Sequence, residues 1–184
     1  KDLTITAEGL DEDFPWQACE ILCERLAPNK ISTEQLDDLM QKGYEHIENR
    51  DEADGCTLWL EVWEQLKPRF TPDMKAVDAA EQIFRGSQSL HNWCQDLEQE
   101  LGNAGLDDKT FYEHRLRYCR EFLSQFSESD PLLKHNMRRA IGESLFDLGR
   151  EKEGDQAFES LVADEPSNPW GYIGWGDMYA GLGS

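Results

Sequence analysis

The chain has 184 residues and carries 38 Asp+Glu against 18 Lys+Arg, a formal net charge of −20. Such a field repels polyanions, since a nucleic-acid partner needs Lys and Arg to neutralise its phosphates. Six Trp set it apart from an acidic disordered tail, and no apolar run approaches the roughly 20 residues needed to cross a bilayer.

Residues 1–13 alternate weakly at Leu3 and Ile5 before turning acidic and read as a lead-in. A first helix is expected over about 15–27, with Cys19, Leu22, Cys23 and Leu26 on one face and Pro28 and Asn29 as its stop. Ser32, with Gln35 three residues on, signals the next helix, and Leu36, Met40, Tyr44 and Ile47 recur at helical spacing. Residues 49–55 read as a charged loop. The stretch 56–66 has strand-like alternation at Leu58, Leu60 and Val62, but Trp59, Trp63 and Leu66 fit a helix, as do its neighbours.

Thr71-Pro72-Asp73 combines a capping hydroxyl, a proline suited to the first helical position and an acid facing the helix dipole. It predicts a helix through Met74, Val77, Ala80 and Phe84, broken at 85–89. Leu90, Cys94, Leu97 and Leu101 give another, closed by Gly102, Asn103 and Gly105. Tyr112, Leu116, Cys119, Leu123 and Phe126 form the next. Asp130-Pro131 starts a helix through Met137, Ile141, Leu145 and Leu148, ended by Gly149, and Asn168-Pro169 starts the last. The reading is an all-α chain of about nine helices, in pairs such as 33–49 with 56–67 and 73–86 with 88–102.

Residues 141–149 and 175–183 superimpose at a shift of 34 residues, pairing Ile141 with Trp175, Gly142 with Gly176, Leu145 with Tyr179 and Gly149 with Gly183. A mid-helix glycine costs about 1 kcal/mol relative to Ala, so Gly142 and Gly176 are expected at close helix contacts. No 34-residue register extends upstream. Between the two segments lie Gly154, Phe158 and Pro166.

On these residues, most specifically over 135–183, the chain resembles the tetratricopeptide repeat family, whose unit is a 34-residue helix–turn–helix. Arg138 stands where the family often has Trp, and Leu161 where it has Ala. Residues 168–179 also resemble the helical part of bacterial proteins with a Cys-rich SEC-C motif, although no such Cys cluster occurs here. The resemblance implies a right-handed α-solenoid of antiparallel helical hairpins. Residues 14–130 would form degenerate hairpins, and 131–184 a repeat plus the first helix of another, in one continuous domain.

In that family the first helix of each pair lines a concave face that takes up a peptide. Carried onto this chain, the lining residues are Asn136, Arg139, Glu143, Phe146 and Asp147, then Trp170, Ile173 and Asp177. The family's carboxylate clamp has Lys and Asn where this chain has Arg139 and Glu143, so chaperone-tail binding is not implied. The expected partner is a protein or peptide, with no nucleic acid, membrane or cofactor. Trp175 and Tyr179 occupy positions that a second helix would cover. The reading therefore expects self-association through 168–184, or a longer protein whose further part packs there.

Motifs for phosphate cradles, dinucleotides, nucleophile elbows and H-E-x-x-H zinc sites are missing from the sequence. A carboxylate-bridged di-iron bundle needs Glu-x-x-His, and the residues three before the four histidines are Gly43, Gln88, Phe111 and Leu132. A non-enzymatic scaffold is the resulting reading. The alternative is a metal-handling or redox-sensing protein using His91, Cys94 and Cys119, since His91 and Cys94 lie one helical turn apart. The five cysteines, odd in number and set in apolar periodic segments, point to buried free thiols and a reducing, cytoplasmic setting. Arg115, Arg117, Arg120, Lys134, His135, Arg138 and Arg139 are candidates for a basic strip. The competing expectation is local pairing with Glu113, Glu121, Glu143 and Asp147.

Overall fold

A computed structural model describes residues 31–84 and 86–181, together with residues 14–15, 17–18, 21–22 and 25–26, whose backbone is helical. The lead-in, Cys19, Cys23 and Gly183 lie outside the described residues. Among those described there are eight α-helices: α1 (Thr33–Glu48), α2 (Glu52–Leu66), α3 (Val77–Glu81), α4 (Leu90–Gly105), α5 (Thr110–Gln125), α6 (Pro131–Asp147), α7 (Glu151–Asp164) and α8 (Pro169–Ala180). None of them is long and apolar enough to cross a membrane.

Three starts follow from local chemistry. Ser32 Oγ accepts from Gln35 N at 3.1 Å while Gln35 Oε1 accepts from Ser32 N at 2.9 Å, a reciprocal capping box for α1. Asp130 Oδ1 accepts from Leu132 N and Leu133 N ahead of Pro131, and Asn168 Oδ1 accepts from Trp170 N ahead of Pro169. Each helix packs on the next at α1–α2, α3–α4, α4–α5, α5–α6, α6–α7 and α7–α8, and α2–α4, α4–α6 and α6–α8 pack as well.

The hairpin α6–α7 is held by two glycines. A Cβ on Gly142 would lie 2.6 Å from the Phe158 ring, and one on Gly154 would lie 2.5 Å from the ring of Phe146. Only a residue without a side chain lets these helices approach so closely. The same device recurs at α1–α2. Here a Cβ on Gly43 would clash with Trp59 Nε1, and one on Gly55 would meet Ile47 Cδ1 at 2.7 Å. A single shift carries Gly43 to Gly142, Ile47 to Phe146, Gly55 to Gly154 and Trp59 to Phe158. It also carries Arg50 (φ 62°) to Gly149 (φ 73°), the left-handed residue that turns each hairpin. The upstream register absent at 34 residues therefore exists at a longer shift.

Gly176 is a correction. Nothing lies within 4 Å of its Cβ position, because no described helix covers that side of α8. Three other expectations change. α2 begins at Glu52, so the charged loop shrinks to the turn before it. α4 runs through Gly102 to Gly105 instead of closing there, because Arg115 and Tyr112 of α5 pack against those two glycines. Leu22 and Leu26 are exposed, so their shared face is not core.

The helix expected from Thr71 reduces to the five residues of α3. Gln125 Nε2 donates to Thr71 O and Met74 O, and Glu128 N donates to Lys75 O. These bonds occupy carbonyls that a helix would use. Ser129 Oγ accepts from Val77 N at 2.8 Å and starts α3 one turn later. With α3 so short, α5 is the hairpin partner of α4.

The main core runs from α1 to α6 and is rich in aromatics, with Trp59, Trp63, Trp93, Tyr118, Phe122 and Phe126 essentially inaccessible. Trp59 Nε1 donates to Met40 O and Tyr118 Oη to Cys94 O, so two buried rings also satisfy backbone acceptors.

Candidate functional site

A polar cavity of about 310 Å³ opens between α4, α6 and α8. Its lining includes Gln95, Glu98, Gln99 and Asn103 from α4, Asn136, Arg139 and Glu143 from α6, and Asp177 and Met178 from α8. Arg115 joins them from α5. It reaches the cavity beside Gly102, where a Cβ would sit 3.2 Å from its guanidinium carbon.

The charged groups form a chain. Arg115 Nε and Nη2 donate to Glu98 Oε1, and Nη2 also donates to Glu143 Oε2 at 3.0 Å. Glu143 Oε1 in turn lies 3.0 Å from Arg139 Nε. Burial works against the Arg115 charge, but Glu98 and Glu143 outweigh it and hold the guanidinium firmly protonated. α8 sits close because Gly174 packs on the aliphatic stem of Arg139, with a Cβ position 3.0 Å from Cδ. Asp177, one turn on, thereby reaches the cavity.

Three carboxylates thus face two guanidinium groups. The Arg115 guanidinium is hydrogen-bonded and that of Arg139 is held by Glu143 at ion-pair distance without a hydrogen bond at Nε, and among the described residues Asp177 and the amides of Gln95, Gln99 and Asn136 hold no side-chain hydrogen bond. A group that enters meets one spare carboxylate and several donor–acceptor amides, a surface suited to a cation.

Of the eight lining residues named from the resemblance, the cavity brings together Asn136, Arg139, Glu143 and Asp177. Phe146 packs on Gly154 and faces the Tyr179 ring at 5.5 Å, outside the cavity. Asp147 lies at the end of α6, where its carbonyl accepts from Lys109 Nζ. Trp170 and Ile173 are exposed on α8. Glu98 and Arg115 are cavity residues that the sequence reading did not place there. The signal was Gly102, read as a helix stop when it is an opening.

Arg115 and Arg139 meet with Glu143 between them, and Arg117, Lys134, His135 and Arg138 are held elsewhere. Arg117 lies 3.7 Å from Glu64, Lys134 donates to Ser127 O, and Arg138 pairs with Asp164 and Glu165. His135 is buried with Nδ1 2.6 Å from Glu165. Local pairing prevails, although Glu121 takes Lys67 and Glu113 takes Arg150.

Cys56, Cys94 and Cys119 are free and buried. Burial pushes the Cys56 and Cys94 thiols up to about 12 and Cys119 well above its ordinary range, so none is a poised thiolate. Among the described residues, the set of three His/Cys/Asp/Glu ligand atoms lying within 4.8 Å of one another is His46, Asp51 and Asp54, which does not include His91, Cys94 or Cys119. The chain matches no family model, no curated protein and no solved structure.

Proposed function

We propose that the chain is a non-enzymatic protein–protein interaction scaffold, a solenoid of tetratricopeptide-like hairpins that holds a partner segment on its inner face. α1–α2, α4–α5 and α6–α7 are its hairpins, with α8 the first helix of a fourth. The packing of α4 on α6 and of α6 on α8 supports this stacking, as does the recurrence of the glycine–ring contact in two hairpins. Buried free thiols support a reducing, cytoplasmic setting.

The observation that carries the reading is the cavity at Asp177, lined by three successive first helices and holding an unpaired carboxylate. Its partner is an extended segment that inserts a lysine or arginine beside Asp177, with the amides of Gln99 and Asn136 binding the segment's backbone. The charge of −20 steers such a segment inward.

The test is fluorescence anisotropy with seven-residue peptide pools fixed at the centre as Lys, Arg or Glu. The cationic pools are expected to bind, more weakly at high salt, and Asp177→Asn to lose about tenfold, near 1.4 kcal/mol. Equal binding of the Glu pool, or affinity unchanged in both Asp177→Asn and Asn136→Ala, sinks the reading.

A further inference from the structure

The two complete hairpins show what covers a first helix around its glycine. Over Gly43 it is α2, which brings Gly55 and, one turn on, Trp59; over Gly142 it is α7, with Gly154 and Phe158. Val62 and Leu161, seven residues past the second glycine, are fully buried in both.

On α8 the corresponding face is open. Tyr172, Trp175 and Tyr179 wall a groove of about 240 Å³ around Gly176. Its walls are fixed from below. The Trp175 ring stacks on Phe158 with planes 4° apart, and Trp175 Nε1 and Tyr179 Oη both donate to Asp155 Oδ1 at 2.8 Å. Apart from Asp177, α8 carries no charged residue, yet its rings Tyr172 and Tyr179 are 48% and 66% exposed.

We infer that this groove docks a helix of a partner protein. That helix presents Gly or Ala over Gly176 and a large ring or aliphatic side chain one turn later. A second copy of this chain is the poorer occupant. Among its described helices, those that carry the pattern, α2 and α7, have their glycine and ring buried inside their own hairpins. Two copies would also bring −20 each to one interface. With Asp155 at the groove wall and a net charge of −20 on the chain, the occupant carries basic residues beside its contact face. The groove is separate from the Asp177 cavity, so either proposal can fail while the other stands.

The probe is a stapled helix of the length of α7 that keeps the spacing of Gly154, Phe158 and Leu161 and carries lysines beside its contact face. It is added to the full chain, with the Trp175 indole N–H and the Gly176 amide followed by NMR. Both resonances are expected to shift saturably. Gly176→Leu meets open space within the chain, so it should keep the helical content and melting temperature while weakening the probe at least about tenfold. Leucine in place of the probe's own glycine should weaken it as much. No binding by a probe that is helical in solution, or binding indifferent to both leucines, overturns the proposal. Light scattering overturns it too if the wild type dimerises and Gly176→Leu abolishes the dimer, because the groove then belongs to a second copy.

Discussion

The hairpins α1–α2 and α6–α7 share one backbone device and differ in everything around it. In the first, Trp59 fills the space over Gly43 and meets Tyr44 and Trp93 edge-on at 4.7 and 6.3 Å, so its flanks are aromatic and dry. In the second, Phe158 plays the same part over Gly142, but the flanks are polar: Arg138 pairs with Asp164, Arg139 with Glu143, and His135 lies in hydrogen-bond contact with Glu165. The glycine–ring contact and the left-handed turn therefore specify the hairpin. The flanking positions remain free to be apolar, where the helix faces the core, or charged, as Arg139 and Glu143 are at the polar cavity.

The comparison breaks most severely at Arg115, the cation on which the ionic half depends. Arg115→Leu leaves Glu98 and Glu143 without their shared partner and is expected to cost about 3–5 kcal/mol in urea unfolding. Adding Glu98→Leu should restore much of that, since Glu143 keeps Arg139. A loss below about 1 kcal/mol for the single change would mean that the ion chain does not hold α4, α5 and α6 together.

The shared device itself is tested by Gly43→Leu and Gly142→Leu. Each is expected to cost about 1–3 kcal/mol through overpacking despite the better helix propensity of Leu. Gly43→Leu should be the worse, because Trp59 is inaccessible and tied to Met40 O. If either variant melts at or above the wild-type temperature, that hairpin does not rest on its glycine.

The smallest effects have opposite signs. Arg50 and Gly149 occupy the same left-handed turn. Arg50→Gly should gain, and Gly149→Ala lose, up to about 1 kcal/mol. Thermal melts that move in the same direction would deny the equivalence of the two turns.

What was legible in the sequence was what is locally determined. Ser32 with Gln35, Asp130-Pro131 and Asn168-Pro169 carry their caps within four residues, and all three caps form. Thr71-Pro72-Asp73 carries an equally good signal and fails, because the Gln125 side chain at the end of α5 takes the carbonyls of Thr71 and Met74. The likeness of α1–α2 to α6–α7 was hidden because only glycines, rings and turn positions coincide. Leu36 stands where His135 does, and Met40 where Arg139 does, as the dry and polar flanks require. The cavity was half legible. Asn136, Arg139, Glu143 and Asp177 share faces of helices that the repeat pattern aligns, whereas Glu98 and Arg115 meet through a gap at Gly102 that no helical periodicity reports.

The Gln125 and Ser129 bonds that hold residues 71–77 also impose an order on the chain's assembly. Their acceptor and donor groups lie 51 to 54 residues upstream of the side chains that satisfy them. During synthesis the hairpin α1–α2 has all its contact glycines and rings in hand before α3 can be settled. The connecting segment stays uncommitted until the end of α5 has emerged and folded back. The closing of that loop joins a hairpin whose glycine contacts are its own to the helices that bring Trp93, Tyr118 and Phe126 onto its rings and that carry the ionic cavity.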